Sequence, residues 1–112
     1  MQVAVIHTVF EDAPTTVALI EVGDMTENEA LNYAFRATQN IDGSWSRGVT
    51  FEHAGVEYDN PDFDQNVKVM AALPVSKMGY TMGHRSTMVG DQILVGTKKF
   101  VVEFSGFEQI SA

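Results

Sequence analysis

His84-Arg85-Ser86-Thr87-Met88-Val89-Gly90-Asp91, running directly into Gln92-Ile93-Leu94-Val95-Gly96-Thr97-Lys98-Lys99-Phe100-Val101-Val102-Glu103-Phe104, is the stretch from which the fold is read. Its second part consists of two runs rich in β-branched and aromatic residues on either side of Gly96-Thr97. That pattern predicts a hairpin of Gln92–Val95 and Lys99–Phe104 turning at the glycine. Its first part is a polar loop that delivers a guanidinium, two hydroxyls and a carboxylate to the start of the hairpin. Gly90-Asp91 suits a structural role there, because glycine permits a tight turn into the strand and aspartate can bond local backbone N–H groups.

Working outward, Gln2 to Phe10 alternates with apolar residues on both faces, the pattern of a central strand. Glu11-Asp12-Ala13-Pro14 is a turn, and Thr15 to Val22 is a second strand antiparallel to the first, ended by Gly23-Asp24-Met25. Thr26-Glu27-Asn28-Glu29 spells a capping box, so a helix is expected from Glu27 to about Thr38. Its buried stripe is Ala30, Leu31, Ala34, Phe35 and Thr38. Asn40 to Gly48 is a loop containing Trp45. Val49–Glu52 and Gly55–Tyr58 form a second hairpin around His53-Ala54, followed by an acidic loop, Asp59 to Asn66. Val67 to Ala71 alternates as a strand, Pro74 to Arg85 is irregular, and Phe107 and Ile110 in the tail are expected to pack back on the sheet. One helix with six or so strands gives a single α+β domain over residues 1–112, a mostly antiparallel twisted sheet or small partly closed barrel with the helix packed on it.

The 112 residues suffice for one core. No apolar run approaches the roughly 20 residues of a membrane span, and the N-terminus lacks a signal-peptide pattern, so a soluble intracellular protein with no membrane partner is expected. The absence of cysteine excludes disulfides, thiolate metal sites and thiol nucleophiles. Fifteen acidic and seven basic residues give a net charge of −8, unevenly spread. Residues 1–66 hold twelve acids and two bases, whereas residues 67–112 hold three acids and five bases. Bulk acidity opposes sequence-independent binding to duplex DNA or anionic membrane.

The histidines, His7, His53 and His84, have no zinc-ligand spacing. Asp62, Asp64 and Asn66 start like a calcium loop, but Val67 stands where glycine is needed and Leu73 where glutamate is needed, so no metal is expected. Ser86, His84 and Asp91 lie too close along one segment to converge as a triad, and no phosphate loop or dinucleotide fingerprint occurs. A non-enzyme without cofactor follows. The candidate binding residues are Trp45, as stacking platform or core aromatic, with His84, Arg85, Ser86, Thr87, Lys98 and Lys99. Arg85 with its two hydroxyl neighbours suits an anion, or else pairs with an acid such as Asp91 and fixes the loop. Glu52, Glu57, Asp59, Asp62 and Asp64 make a candidate acidic face.

Thr38-Gln39-Asn40-Ile41, Trp45, Arg85-Ser86-Thr87-Met88-Val89-Gly90-Asp91 and Gly106-Phe107-Glu108-Gln109-Ile110 together resemble a loose family of small proteins of tailed bacteriophages and other mobile elements, with a C-terminal half similar to the YodL-type domain. The resemblance spans Leu31–Trp45 and Gly83–Ile110, and Met88 replaces a serine usual in that motif. It brings no catalytic residues. It implies a phage accessory protein in the bacterial host cytoplasm, acting as an interaction module on a host or phage protein, for example as inhibitor of a nucleic-acid enzyme or defence protein. The alternatives are a single-stranded nucleic-acid or nucleotide-binding domain, using Trp45 or Tyr80 with Arg85, Lys98 and Lys99, and a virion structural component.

Overall fold

The computed structural model describes residues 1–111. Along the chain the elements are β1 (Gln2–His7), β2 (Thr15–Glu21), α1 (Glu27–Ala37), β3 (Thr50–His53), β4 (Val56–Asp59), β5 (Val67–Val69), β6 (Gln92–Val95), β7 (Lys98–Glu103) and β8 (Gly106–Ser111). Six strands form one sheet in the order β5-β2-β1-β6-β7-β8, while β3 and β4 form a separate hairpin. Every pairing is antiparallel. The outer strands β5 and β8 lie at opposite edges, so the sheet is open and the barrel alternative is ruled out.

The capping box forms as the sequence specifies. The Glu29 backbone N–H donates to Thr26 Oγ1 at 3.2 Å, and the Thr26 N–H donates to Glu29 Oε1 at 3.0 Å. Thr38 closes the helix as its C-cap. Ala30, Leu31 and Ala34 press against the sheet, where register places Val3 between Ile20 and Val95, and Val5 between Ala18 and Ile93. Phe100 and Val102 extend this core onto β7.

The opposite face of the sheet carries Ala4, Ile6, Leu19, Leu94 and Val101, all partly exposed. These side chains shield one another within the sheet. Among the described residues, no helix or second sheet covers that face.

Several boundaries differ from expectation. β1 ends at His7 rather than Phe10, because the Thr8 N–H leaves the ladder to donate to Asp91 Oδ1 at 2.9 Å. The β3–β4 hairpin sits one residue later than expected. Ala54 and Gly55 take φ of 53° and 80°, the two positive values that a two-residue type I′ turn demands. β5 stops at Val69, two residues short, and Ala71 adopts a φ of 66°. The tail is not a mere packing segment: Gly106–Ser111 pairs with β7 as a full edge strand, which brings the count to eight. Phe107 does pack toward Phe35 of α1, at 6.3 Å between ring centroids, while Ile110 stays exposed.

Candidate functional site

The polar loop folds inward over the helix side of the sheet, and Asp91 is its anchor. This carboxylate is fully buried and accepts from five N–H groups. Arg85 contributes two of them, Nη1 to Oδ2 at 2.7 Å and Nη2 to Oδ1 at 2.8 Å, a bidentate pair. The backbone of Met88 supplies another at 2.8 Å, and Thr8 and Val9 supply the rest. Burial works to raise the Asp91 carboxyl, but these hydrogen bonds and the nearby positive charge outweigh it and hold it below its usual range. Gly90 makes the geometry attainable: its φ is +99°, and a Cβ there would lie 2.9 Å from Val9 Cγ2.

Arg85 is thereby occupied. Its Nη2 also donates to Glu11 Oε1 at 2.8 Å, Nη1 reaches the Ser86 carbonyl at 3.0 Å, and the Phe10 ring lies 5.4 Å from the guanidinium carbon. Burial would raise the Glu11 carboxyl, yet the bond from Arg85 holds it below its usual value. Hydrogen bonds to Asp91 push the guanidinium pKa up despite its partial desolvation. Of the two readings open for Arg85, the structure shows the pairing with Asp91.

A second chain of bonds starts at His7, which is 1% exposed. Its Nε2 lies 3.0 Å from Thr87 Oγ1, which lies 2.7 Å from Thr38 Oγ1. Thr38 Oγ1 is 2.8 Å from the Ala34 carbonyl, which can only accept. With the Thr38 proton directed there, Thr87 donates to Thr38 and accepts from His7, so His7 carries its proton on Nε2. Burial lowers the His7 pKa most; Asp91 opposes this and Arg85 adds to it. Trp45 packs beside the chain, 2% exposed, stacked on His84 with centroids 5.8 Å apart and with its indole N–H on the Arg85 carbonyl at 2.9 Å. His84 in turn bonds the Met70 carbonyl at 2.9 Å. Asn40 ties the layer together through the Ser86 hydroxyl, the His84 carbonyl and the Trp45 N–H.

The expected binding residues therefore divide. Trp45, His84, Arg85, Ser86 and Thr87 do come together, but as an internal scaffold. The indole, His84 and Thr87 are buried, and both terminal nitrogens of the Arg85 guanidinium are engaged by Asp91 and Glu11, while its Nε has no partner. Lys98 lies apart, paired with Glu27 at 3.0 Å near the start of α1, and Lys99 neighbours Leu94 on the other sheet face.

The acidic face divides too. Glu52, Glu57 and Asp59 stand exposed on β3 and β4. Asp62 instead accepts from the backbone N–H groups of Ile41, Asp42 and Gly43, at 2.7 to 3.3 Å, and Asp64 accepts from the Tyr33 hydroxyl. Burial and that bond raise the Tyr33 pKa.

Asp91 and Thr87 both face Nε2 of His7, at 4.0 and 3.0 Å, whereas a relay needs them on opposite ring nitrogens. Among the described residues, no cluster of three or more histidines and carboxylates is placed to hold a metal ion. No helix among the described residues is long and apolar enough to cross a membrane.

Sequence reasoning missed the arm beside this scaffold. β3–β4 meets the 74–82 segment through His53 and Tyr80, whose ring centroids are 5.4 Å apart, and a bridge between Val75 and Thr81 folds that segment back on itself. Val56, Tyr58, Val75, Met78, Tyr80 and Met82 are all exposed there, from 41% for Tyr80 to 79% for Met78. The signal available in sequence was the methionine and tyrosine content of a segment with no regular period. Comparison of the chain with family models, curated proteins and solved structures finds no match.

Proposed function

We propose that this chain is a non-enzymatic interaction module acting on a host or phage protein, and that its working surface is the arm formed by β3–β4 and residues 74–82. The observation that carries this reading is the run of exposed apolar side chains on the arm, beside Glu52, Glu57 and Asp59. Scattered apolar residues are ordinary on a protein surface, but tyrosine and methionine gathered on one projection match the make-up of interface cores. The three acids suit a partner with an apolar pocket and a basic rim. The phage origin and the bacterial cytoplasm belong to the same proposal and rest on the motif resemblance.

A DNA-mimicking inhibitor is less well supported than direct protein docking, since Asp62 and Asp64 are committed to internal bonds. Nucleic-acid binding is less well supported: Trp45 and Arg85 belong to the scaffold, which leaves Tyr80 as the exposed aromatic, and phosphates there would lie beside the arm's acids. The test is affinity capture with the intact chain and with a Met78→Asp/Tyr80→Asp variant. A saturable partner retained by the first and lost by the second, at unchanged melting temperature, is the expected result. Equal retention by both would remove the arm from consideration.

A further inference from the structure

We propose that the protein also self-associates through the open face of its six-stranded sheet, two copies packing face to face about a two-fold axis. This surface is separate from the arm and does not depend on it.

Register defines the face. Lys68, Leu19, Ala4, Leu94 and Lys99 lie side by side in one row across five strands. The next row is Ile6, Gln92, Val101 and Glu108, and Glu103 follows two residues beyond Val101 on β7. Apart from Gln92, the centre is apolar. Lysines close both ends of the first row, and two carboxylates occupy the β7–β8 end beyond it. Lys99 and Glu103 thus stand two residues to either side of Val101, about 13 Å apart along the strand at roughly 3.3 Å per residue.

That spacing is self-complementary. A two-fold axis lying in the face, across the strands at Val101, sets Val101 on its counterpart. It also sets each Lys99 opposite the Glu103 of the other copy, giving two identical ion pairs, while Glu108, level with Val101, meets its own counterpart, one like-charge contact that the two ion pairs must outweigh. The strands of the two sheets stay nearly aligned, the packing that stacked sheets favour. The neighbouring Glu108, by a hydrogen bond open to the protonated form and by repulsion of the ionised one, raises the Glu103 pKa, and an arriving ammonium relieves that repulsion. The strands of this sheet, three to seven residues long, at about 3.3 Å rise and 4.8 Å spacing, present roughly 500 Å² per copy. The pair would bury about 1,000 Å² in total, the lower limit of a specific interface. A weak, concentration-dependent dimer follows.

Sedimentation equilibrium of the full chain from about 1 to 500 µM tests this, over the range where an interface of this size associates. The parent is expected to pass from monomer to dimer, and Leu94→Glu to weaken association at least a hundredfold. K99E and E103K alone each place like charges opposite one another twice and should weaken it at least tenfold. Mixed together, they restore both ion pairs in a heterodimer of parental affinity. Both remain net negative, so bulk attraction does not explain such a rescue. A parent that stays monomeric throughout overturns the proposal, as does a dimer indifferent to all three substitutions or a mixture that fails to associate. Circular dichroism of the two charge variants keeps the test independent of whether Leu94→Glu folds.

Discussion

Residues 84–91 and residues 74–82 are separated only by Gly83, and neither forms a helix or a long strand, yet they take opposite positions in the molecule. The first segment turns Thr87 and Asp91 into the interior and closes the Arg85 guanidinium between Asp91 and Glu11. The second keeps Val75, Met78, Tyr80 and Met82 in solvent. The polar segment is structural and the apolar one is displayed, the reverse of what hydropathy alone implies. The reason lies in the partners. A buried carboxylate is tolerated where five donors surround it, and a lone methionine is left outside where no second surface arrives.

Substitution should separate the two regions sharply. Arg85→Ala leaves Asp91 buried without its bidentate partner and is expected to cost about 3–5 kcal/mol in chemical denaturation. A loss below about 1 kcal/mol, the scale of an exposed ion pair, would show that the network carries little.

Acid should open the same network in two stages. The folded His7 pKa lies below the unfolded value of 6.5, so the unfolded chain takes up more protons as pH falls past that value, and stability declines. The Asp91 pKa is also depressed, so its contribution, complete above the unfolded value of 3.8, is lost as pH drops through the folded one. Melting temperature followed from pH 8 to 5 should fall on the acid side in the parent and do so less in His7→Gln. An unchanged slope in that variant would move the first stage elsewhere.

The smallest effect is expected on the arm, and with the opposite sign. Ala54 has a φ of 53° where a side chain is strained, and Asn-Gly is the preferred pair for this turn. Ala54→Asn should therefore stabilise by about 0.5 kcal/mol, read as a shift of the denaturation midpoint. Destabilisation by this change would mean that the hairpin turn is not of this type.

How much of this was readable in advance varies with the range of the interaction. The helix was legible to within a residue, because Thr26 and Glu29 are three apart and satisfy each other locally. The β6–β7 hairpin was legible because Gly96 sits where a positive φ is required. β8 was not, since the two-residue connection Phe104-Ser105 lacks a strong turn signal and the strand is exposed from Glu108 onward, with no alternating buried face. The loop's residues were identified correctly as a cluster, but their role was open. Arg85 could serve an incoming anion or an internal acid, and its composition is the same in both cases.

The sequence by itself therefore determined the elements whose signals close within a few residues: the capped helix, the alternating central strand β1 and the antiparallel ribbon β6–β7. Only the tertiary structure decided which faces those elements share and which groups satisfy one another. Glu11 reaches Arg85 across 74 residues, and His7 reaches Thr87 across 80. Local backbone preference carries no information over such separations. What selects the partners there is the need to pair every polar group that packing removes from water.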